Sequence, residues 1–392
     1  MRPLDGITVI AFEHAVAAPT CTRHLADQGA RVIKIERPGV GDFARGYDDR
    51  VNGLASYFVW ANRSKESLTL DVKRPEALGV LDALIGKADV VVQNFAPGAA
   101  ARLGLSFDEL SARNPRIVVC DISGYGEDGP YRDRKAYDLM IQAEAGLLAV
   151  TGVEEHMARC GFSAADVAAA MYAYSGVLSA LLLRERTGKG SRVEVSLLDA
   201  LAEWMGNPMY YTYGGRPPAK RTGAYHPSVA PYGPVRTVDG GIVMIGLQNE
   251  REWATFCEHV LGEASLRTDP RFVSNNARAE NRQELDALIM DALAGLTAHQ
   301  VMARLQGAGL ACAKVNSPAA LWDHPQLAAR DRWRTIGSPA GELRALLPPA
   351  TNSAYKARMQ AVPALGEHTD AILAELGFGV AEIAALHDGG VV

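Results

Sequence analysis

The sequence predicts an α/β fold: a parallel sheet covered by helices, with a second, smaller domain later in the chain. Three observations carry that expectation. Apolar β-rich runs alternate with helix-length segments up to residue 122, the pattern of repeated strand–helix–strand units. A stretch rich in Ala, Leu and Met, from about 165 to 186, reads as one long helix. From Asn207 to Pro234 the composition turns to Gly, Pro and Tyr, which reads as a linker or an irregular substrate loop. At 392 residues the chain has room for two or three domains of about 100–200 residues each.

The elements follow in order. Ile7 to Phe12 is a short strand. Pro19 sits where a helix can begin, Thr20 to Gln28 continues it, and Gly29 can end it, because glycine tolerates a left-handed cap. Arg31 to Glu36 is the next strand, completing a βαβ unit. Ser67 to Asp71 is strand-like, Pro75 to Gly86 helical, and Asp89 to Gln93 a buried run of valines. Glu109 to Arg113 is a short helix and Arg116 to Ile122 a strand. Thr187-Gly188-Lys189-Gly190 terminates the long helix; Arg192 to Ser196 is a strand and Leu197 to Met205 a helix. Past the break, Gly241 to Gly246 is a strand, and Glu252–Leu261, Gln283–Leu293 and Ala298–Gly309 are helices. The tail holds one clear helix, Thr369 to Leu376, expected to return to the first domain. The expected division is 1–200 for the large domain, 201–224 linker, 225–325 small domain, 326–349 linker, and 350–392 large domain again.

Composition excludes several classes. The net charge is −5 and no Lys/Arg-rich run occurs, so no nucleic-acid partner is expected. The five cysteines are odd in number and widely spaced, with no C-x-x-C, which argues against a disulfide framework and a zinc site. A reducing cytoplasm suits them. The first residues run straight into a strand, and the longest apolar stretches break before the ~18 residues of a membrane span, so a soluble protein with no membrane partner is expected. Gly124-Tyr125-Gly126-Glu127-Asp128-Gly129 matches G-x-G-x-x-G, but Pro130-Tyr131-Arg132-Asp133-Arg134 follows it as a polar loop. A dinucleotide site needs the third glycine to lead into a helix. The match reads as a glycine-rich turn.

One acid stands out. Asp166 lies at the start of the long apolar helix. Ser163-x-x-Asp166 resembles a capping box, and an acid in the first turn suits the helix dipole. The other reading is chemical. A carboxylate is ionised near neutral pH without a general base, so it can attack a thioester directly, as a serine cannot. The residues alone leave both readings open.

The chain resembles the family III CoA-transferases over nearly its whole length. Pro3-Leu4-Asp5-Gly6-Ile7 and Ala26 to Pro38 are similar to the family's first βαβ unit, Lys65 to Lys73 to its next strand, and Asn94-Phe95-Ala96-Pro97-Gly98 to its N-F-x-P-G turn. Ser123-Gly124-Tyr125-Gly126, Gly188-Lys189-Gly190, Pro325-Gln326 and Gly366-Glu367-His368-Thr369 also match, in order. The resemblance implies that Asp166 is a nucleophile forming a mixed anhydride and then an aspartyl-CoA thioester. It implies CoA contacts at Val16, Arg37, Leu70, Lys73, Asn94, Phe95, Arg102, Lys135 and Tyr137, with Ala15 near the thioester. Asp138 matches an acid with a structural or orienting role. Val16 replaces a glutamine of formyl-CoA transferases, which counts against oxalate. Coenzyme A is then a substrate, and no tightly bound cofactor or metal is implied.

The resemblance also separates branches. Racemases of the family carry a histidine where this chain has Tyr137, a poor proton abstractor. The segments around His226 and around Gln248 and Asn249 resemble transferases acting on C4–C5 dicarboxylates such as succinate, mesaconate, itaconate and citramalate. Gln248 and Asn249 either line an acyl pocket or cap the helix near Glu252. The leading expectation is transfer of CoA from an acyl-CoA, with succinyl-CoA the favoured donor, to a short carboxylic acid. Intramolecular CoA transfer, a 2-methylacyl-CoA racemase, and a CoA-binding protein without chemistry stay open. The family implies a Rossmann-like large domain built from both chain ends and an interlocked homodimer.

Overall fold

The computed structural model describes residues 1–392. The chain divides into two compact units. The first holds Met1–Gly146, Cys160–Gly206 and Arg330–Val392; the second holds Leu147–Arg159 and Asn207–Ala329. The first unit thus draws on both chain ends, and 147–159 is a short excursion into the second unit that local sequence pattern does not signal.

The first unit is built on six strands: β1 (Thr8–Phe12), β2 (Arg31–Glu36), β3 (Lys65–Thr69), β4 (Val90–Gln93), β5 (Val118–Ser123) and β6 (Arg192–Ser196). Their order is β3-β2-β1-β4-β5-β6, and every pair is parallel. This is the doubly wound Rossmann order, in which direction of winding reverses between β1 and β4. Val9 pairs with Val32 on one side and Val90 on the other. β1 and β4 are continuous apolar runs because helices cover both faces of a parallel sheet. The main core joins Ile10, Ile33, Val91 and Val119 of the sheet to Leu81, Leu84 and Ile85 of the helix Leu78–Gly86 and to Ile372 and Leu373 of the helix Thr369–Glu375.

The long helix spans Ala164–Thr187. Ala165, Ala168, Ala169, Ala173, Val177, Ala180 and Leu181 form its buried stripe at helical spacing. Small side chains let it lie close to the helix Ala17–Asp27 and to β5 and β6. Its 24 residues are long and apolar enough, by length and composition, to cross a membrane. That corrects the expectation that every apolar stretch breaks early: alanines filling a tight helix–helix contact score as apolar as a lipid-facing helix does. The G-x-G-x-x-G segment leads into no helix; a Cβ on Gly124 would stand 2.3 Å from the Ala136 Cβ, so the glycine lets the Lys135–Tyr137 loop pass over the end of β5.

The second unit has a three-stranded antiparallel sheet of β7 (Tyr232–Arg236), β8 (Ile242–Gly246) and β9 (Ala311–Lys314), with β8 central. Its core is Val243, Ile245, Trp253, Phe256, Phe272, Leu285, Ile289, Val301 and Leu305. β10 (Trp333–Ile336) and β11 (Leu343–Leu346) form a hairpin in the first unit. The tail holds a second helix, Val380–Asp388, beyond the one expected.

Candidate active site

In open α/β sheets ligands sit outside the carboxyl ends of the strands, where winding reverses. Here that place lies between the loops after β1 and β4. Two hydrogen bonds tie those loops: His14 N donates to Asn94 Oδ1 (3.0 Å) and Asn94 Nδ2 donates to the His14 carbonyl (2.9 Å). Ala15 follows with φ 63°, a left-handed conformation an alanine seldom takes. Asp42 holds it there, its Oδ1 accepting from Ala15 N (3.1 Å) and Ala44 N (2.9 Å).

Asp42 is itself fixed by buried charge. Lys34 Nζ lies 2.8 Å from its Oδ2 and 3.4 Å from Glu13 Oε1. Lys65 Nζ donates to Glu13 Oε1 (2.6 Å), to the Pro19 carbonyl and to Asn62 Oδ1. Thr22 Oγ1 donates to Glu13 Oε2 (2.6 Å). Burial pushes the Glu13 carboxyl up, yet the ammonium groups of Lys65 and Lys34 outweigh it and hold the acid below its ordinary value. Lys34 is held above its ordinary value because Glu13 and Asp42 outweigh its burial. Charges this deep persist only when paired, and these fix the β1 turn.

Aromatic rings line the approach. The His14 ring stacks on Phe43 (5.5 Å), Phe43 meets Tyr47 (5.8 Å), and Tyr47 meets Tyr57 edge-on (5.7 Å). The Phe95 ring lies 6.5 Å from His14, tilted by 56°. His14 Nδ1 is buried without a partner, and burial lowers its basicity. The Tyr47 phenol is pushed up to about 12 by burial, then by Asp42 and Asp166. That coupling puts Asp166 within electrostatic reach of the Tyr47 phenol.

Asp166 is half-buried in the first turn of the long helix. No hydrogen bond or ion pair reaches its carboxylate. Burial, then the neighbouring Asp138 carboxylate, raises its pKa from 3.8 to about 7. The expected capping box is absent. Ser163 has φ −74° and ψ 78°, outside the extended cap geometry, and its hydroxyl caps nothing. Asp138 caps instead: its Oδ1 accepts from Ala165 N (2.8 Å) and Asp166 N (3.4 Å). Gln142 Nε2 donates to Asp138 Oδ2 (2.7 Å), and Gln142 Oε1 accepts from Cys160 N (3.0 Å).

The other residues singled out in the sequence distribute as follows. Arg37, Lys73, Arg102 and Lys135 are exposed, and none forms an ion pair within the chain. Arg37 directly follows β2, and its charge reaches His14. Tyr137 is 68% exposed and precedes the helix Asp138–Glu144. Val16 is buried, and its carbonyl already accepts from Thr20 N (2.9 Å). Leu70 is packed in the core and its N–H already donates to the Glu36 carbonyl, which leaves no side-chain contact for a ligand. His226, Gln248 and Asn249 belong to the second unit. His226 stacks on Tyr232 (5.3 Å), and its Nδ1 accepts from Ser228 N. Asn249 caps the helix Glu250–Phe256 through Oδ1 to Glu252 N (2.9 Å); the Gln248 side chain is exposed. Sequence reasoning missed Asp42, Phe43, Tyr47 and Tyr57; the rule that loops after strand ends build such sites points to the loop after β2.

The CoA-transferase family III sequence model matches residues 4–369. The chain is 32% identical to the succinyl-CoA:glutarate CoA-transferase of Mus musculus, over 96% of this chain and 87% of that one. It is 36% identical to the acetyl-CoA:oxalate CoA-transferase of Acetobacter aceti, over 84% and 85%. The crystal structure of a CAIB/BAIF family protein from Brucella suis matches with a TM-score of 0.85 at 33% identity, covering 96% of this chain and 99% of that one.

Proposed function

The chain belongs to CoA-transferase family III, and from that premise we propose that it carries CoA from succinyl-CoA to a C4–C5 dicarboxylic acid on Asp166. The observation that carries the reading is Asp166 itself: a carboxylate raised to about 7, with no hydrogen bond or ion pair, in the unit that carries the strand-end crevice. A structural acid at a helix start is normally stabilised; this one is left basic and free to react.

The chemistry needs no redox partner. An Asp166 oxygen bonds to the thioester carbonyl carbon, the C–S bond breaks, and CoA leaves as thiolate, giving a mixed anhydride. The thiolate then attacks the Asp166 carboxyl carbon and releases the donor acid, giving an aspartyl-CoA thioester. The acceptor carboxylate attacks the same carbon, expels the thiolate, and forms a second anhydride. The thiolate finally attacks the acceptor's acyl carbon and frees Asp166. CoA stays bound throughout, so binding energy at its nucleotide end positions the sulfur. Arg37, Lys73, Arg102 and Lys135 are the cations we assign to its phosphates, since none is neutralised within the chain. Asn94 and Phe95 and the backbone of Ala15 and Val16 would border the pantetheine and thioester.

The glutarate relative supports a C5 acceptor. The oxalate relative marks the competing class, and Val16 in place of glutamine weighs against it. A racemase reading lacks its second proton carrier, because Tyr137 stands where a histidine would be. Large apolar side chains stay exposed on the long helix at Met171, Tyr172, Leu182 and Leu183 and nearby in sequence at Trp204, which supports a homodimer.

An acceptor panel tests the reading. With succinyl-CoA as donor, glutarate, mesaconate, itaconate and citramalate should give new CoA esters by mass, and Asp166→Ala should reduce turnover by at least about 10³-fold. Turnover with oxalate alone would overturn the substrate class. Deuterium exchange at the carbon next to the thioester, without new esters, would replace transferase by racemase.

A further inference from the structure

We propose that Asp138 is a positioning residue that keeps Asp166 nucleophilic, by capping its helix from outside and placing a second negative charge beside it. The inference rests on the reading of Asp166 as nucleophile and adds how the fold activates it.

A helix N-terminus presents free N–H groups and a partial positive charge, which stabilise a nearby carboxylate and make it a weaker nucleophile. Asp166 sits in the first turn, where that would be expected. The Asp138 carboxylate takes those donors instead: Oδ1 accepts from both Ala165 N and Asp166 N, at 2.8 and 3.4 Å. Gln142 is fully buried and fixes the other oxygen, donating to Oδ2 at 2.7 Å while receiving Cys160 N. The helix Asp138–Glu144 and the segment leading into the long helix are thus locked to one another. After burial, Asp138 from that helix raises Asp166, and after burial and Asp42, Asp166 in turn raises the Tyr47 phenol from the loop after β2.

The arrangement favours the covalent step. As an Asp166 oxygen bonds to the thioester carbon and the C–S bond breaks, negative charge passes from the carboxylate to the departing sulfur. Repulsion between Asp138 and Asp166 disappears when Asp166 becomes a neutral anhydride or thioester. The ionised acid pays that repulsion; the adduct does not.

The test is the pH dependence of adduct formation, by intact mass in single turnover with succinyl-CoA, from about pH 5 to 9. The wild-type midpoint should be about 7. Asp138→Asn keeps an oxygen for the cap and removes the charge; its midpoint should fall by about one unit or more, with a slower rate on the alkaline plateau. Asp138→Glu should return the midpoint toward wild type. Partial misfolding lowers the amount of adduct but does not move its midpoint, so a structural role is separable. Asp138→Ser, a smaller neutral cap, repeats the test if the Asn variant does not fold. An adduct whose midpoint is unmoved in the neutral variants overturns this inference alone, as does failure of both neutral variants to fold. No adduct in wild type overturns the nucleophile reading and this inference with it.

Discussion

Ionised Asp166 is a cost to the folded protein, and the cost has a definite sign. Its pKa rises from 3.8 unfolded to about 7 folded, so the native state holds the proton more tightly than the unfolded chain. Stability therefore falls as pH rises from about 4 to 7, and the penalty is fully present above 7. Asp166→Asn should stabilise the protein at pH 8 by about 1–3 kcal/mol, with most of the gain lost near pH 5, read from urea midpoints. An equal or negative effect at pH 8 would mean the carboxylate is better solvated than its burial suggests. Glu13 has the opposite balance. Glu13→Gln strands Lys65 and Lys34 without their shared carboxylate and should cost about 3–5 kcal/mol by the same measurement. The position of Asp166 is legible in sequence, because a lone acid before an alanine-rich helix stands out. Its environment is not: the cap comes from Asp138, 28 residues earlier, while the local pattern names Ser163. Asn249 is the reverse case, since its capping partner Glu252 is three residues away.

Strands built on β-branched residues are the elements the sequence places best. β2 and β6 fall on the residues expected, and β3 begins two residues earlier, at Lys65, because that lysine is buried on Glu13 and reads as polar. The helix Ser56–Asn62 is hidden from the sequence pattern because Tyr, Phe, Val and Trp favour strands; of its aromatics Phe58 is buried while Trp60 stays exposed. The second tail helix, Val380–Asp388, carries too little buried apolar surface to show periodicity. Close backbone approach is another feature that spacing hides. A Cβ on Gly190 would fall 1.8 Å from the Ile117 carbonyl oxygen, where the chain enters β6 beside β5. Gly190→Ala should cost at least about 2 kcal/mol, seen as a lower thermal midpoint; an unchanged midpoint would show that β6 can shift freely.

At the scale of the molecule, the reversal of strand order between β1 and β4 gathers the loops that carry His14, Ala15, Asn94 and Phe95, residues scattered in sequence. A string of apolar runs and helices announces such a sheet but not its order, which depends on pairings between distant segments. The division into units shows the same limit: Leu147–Arg159 joins the second unit although Asn207 is where composition changes. Association belongs to this scale too. If the exposed Met171, Leu182, Leu183 and Trp204 lie against a second copy, light scattering should give twice the 41.9 kDa of one chain at micromolar concentration. A single-chain mass would leave those side chains in water and count against the dimer.

The covalent role of Asp166 is tested most directly by intact mass after exposure to succinyl-CoA, with hydroxylamine as the trap. Wild type should gain a modification that maps to Asp166, and Asp166→Ala should show none and lose turnover. Unmodified wild type, together with an alanine variant that still turns over, would contradict the account and leave Asp166 as a helix-start acid held under strain by Asp138.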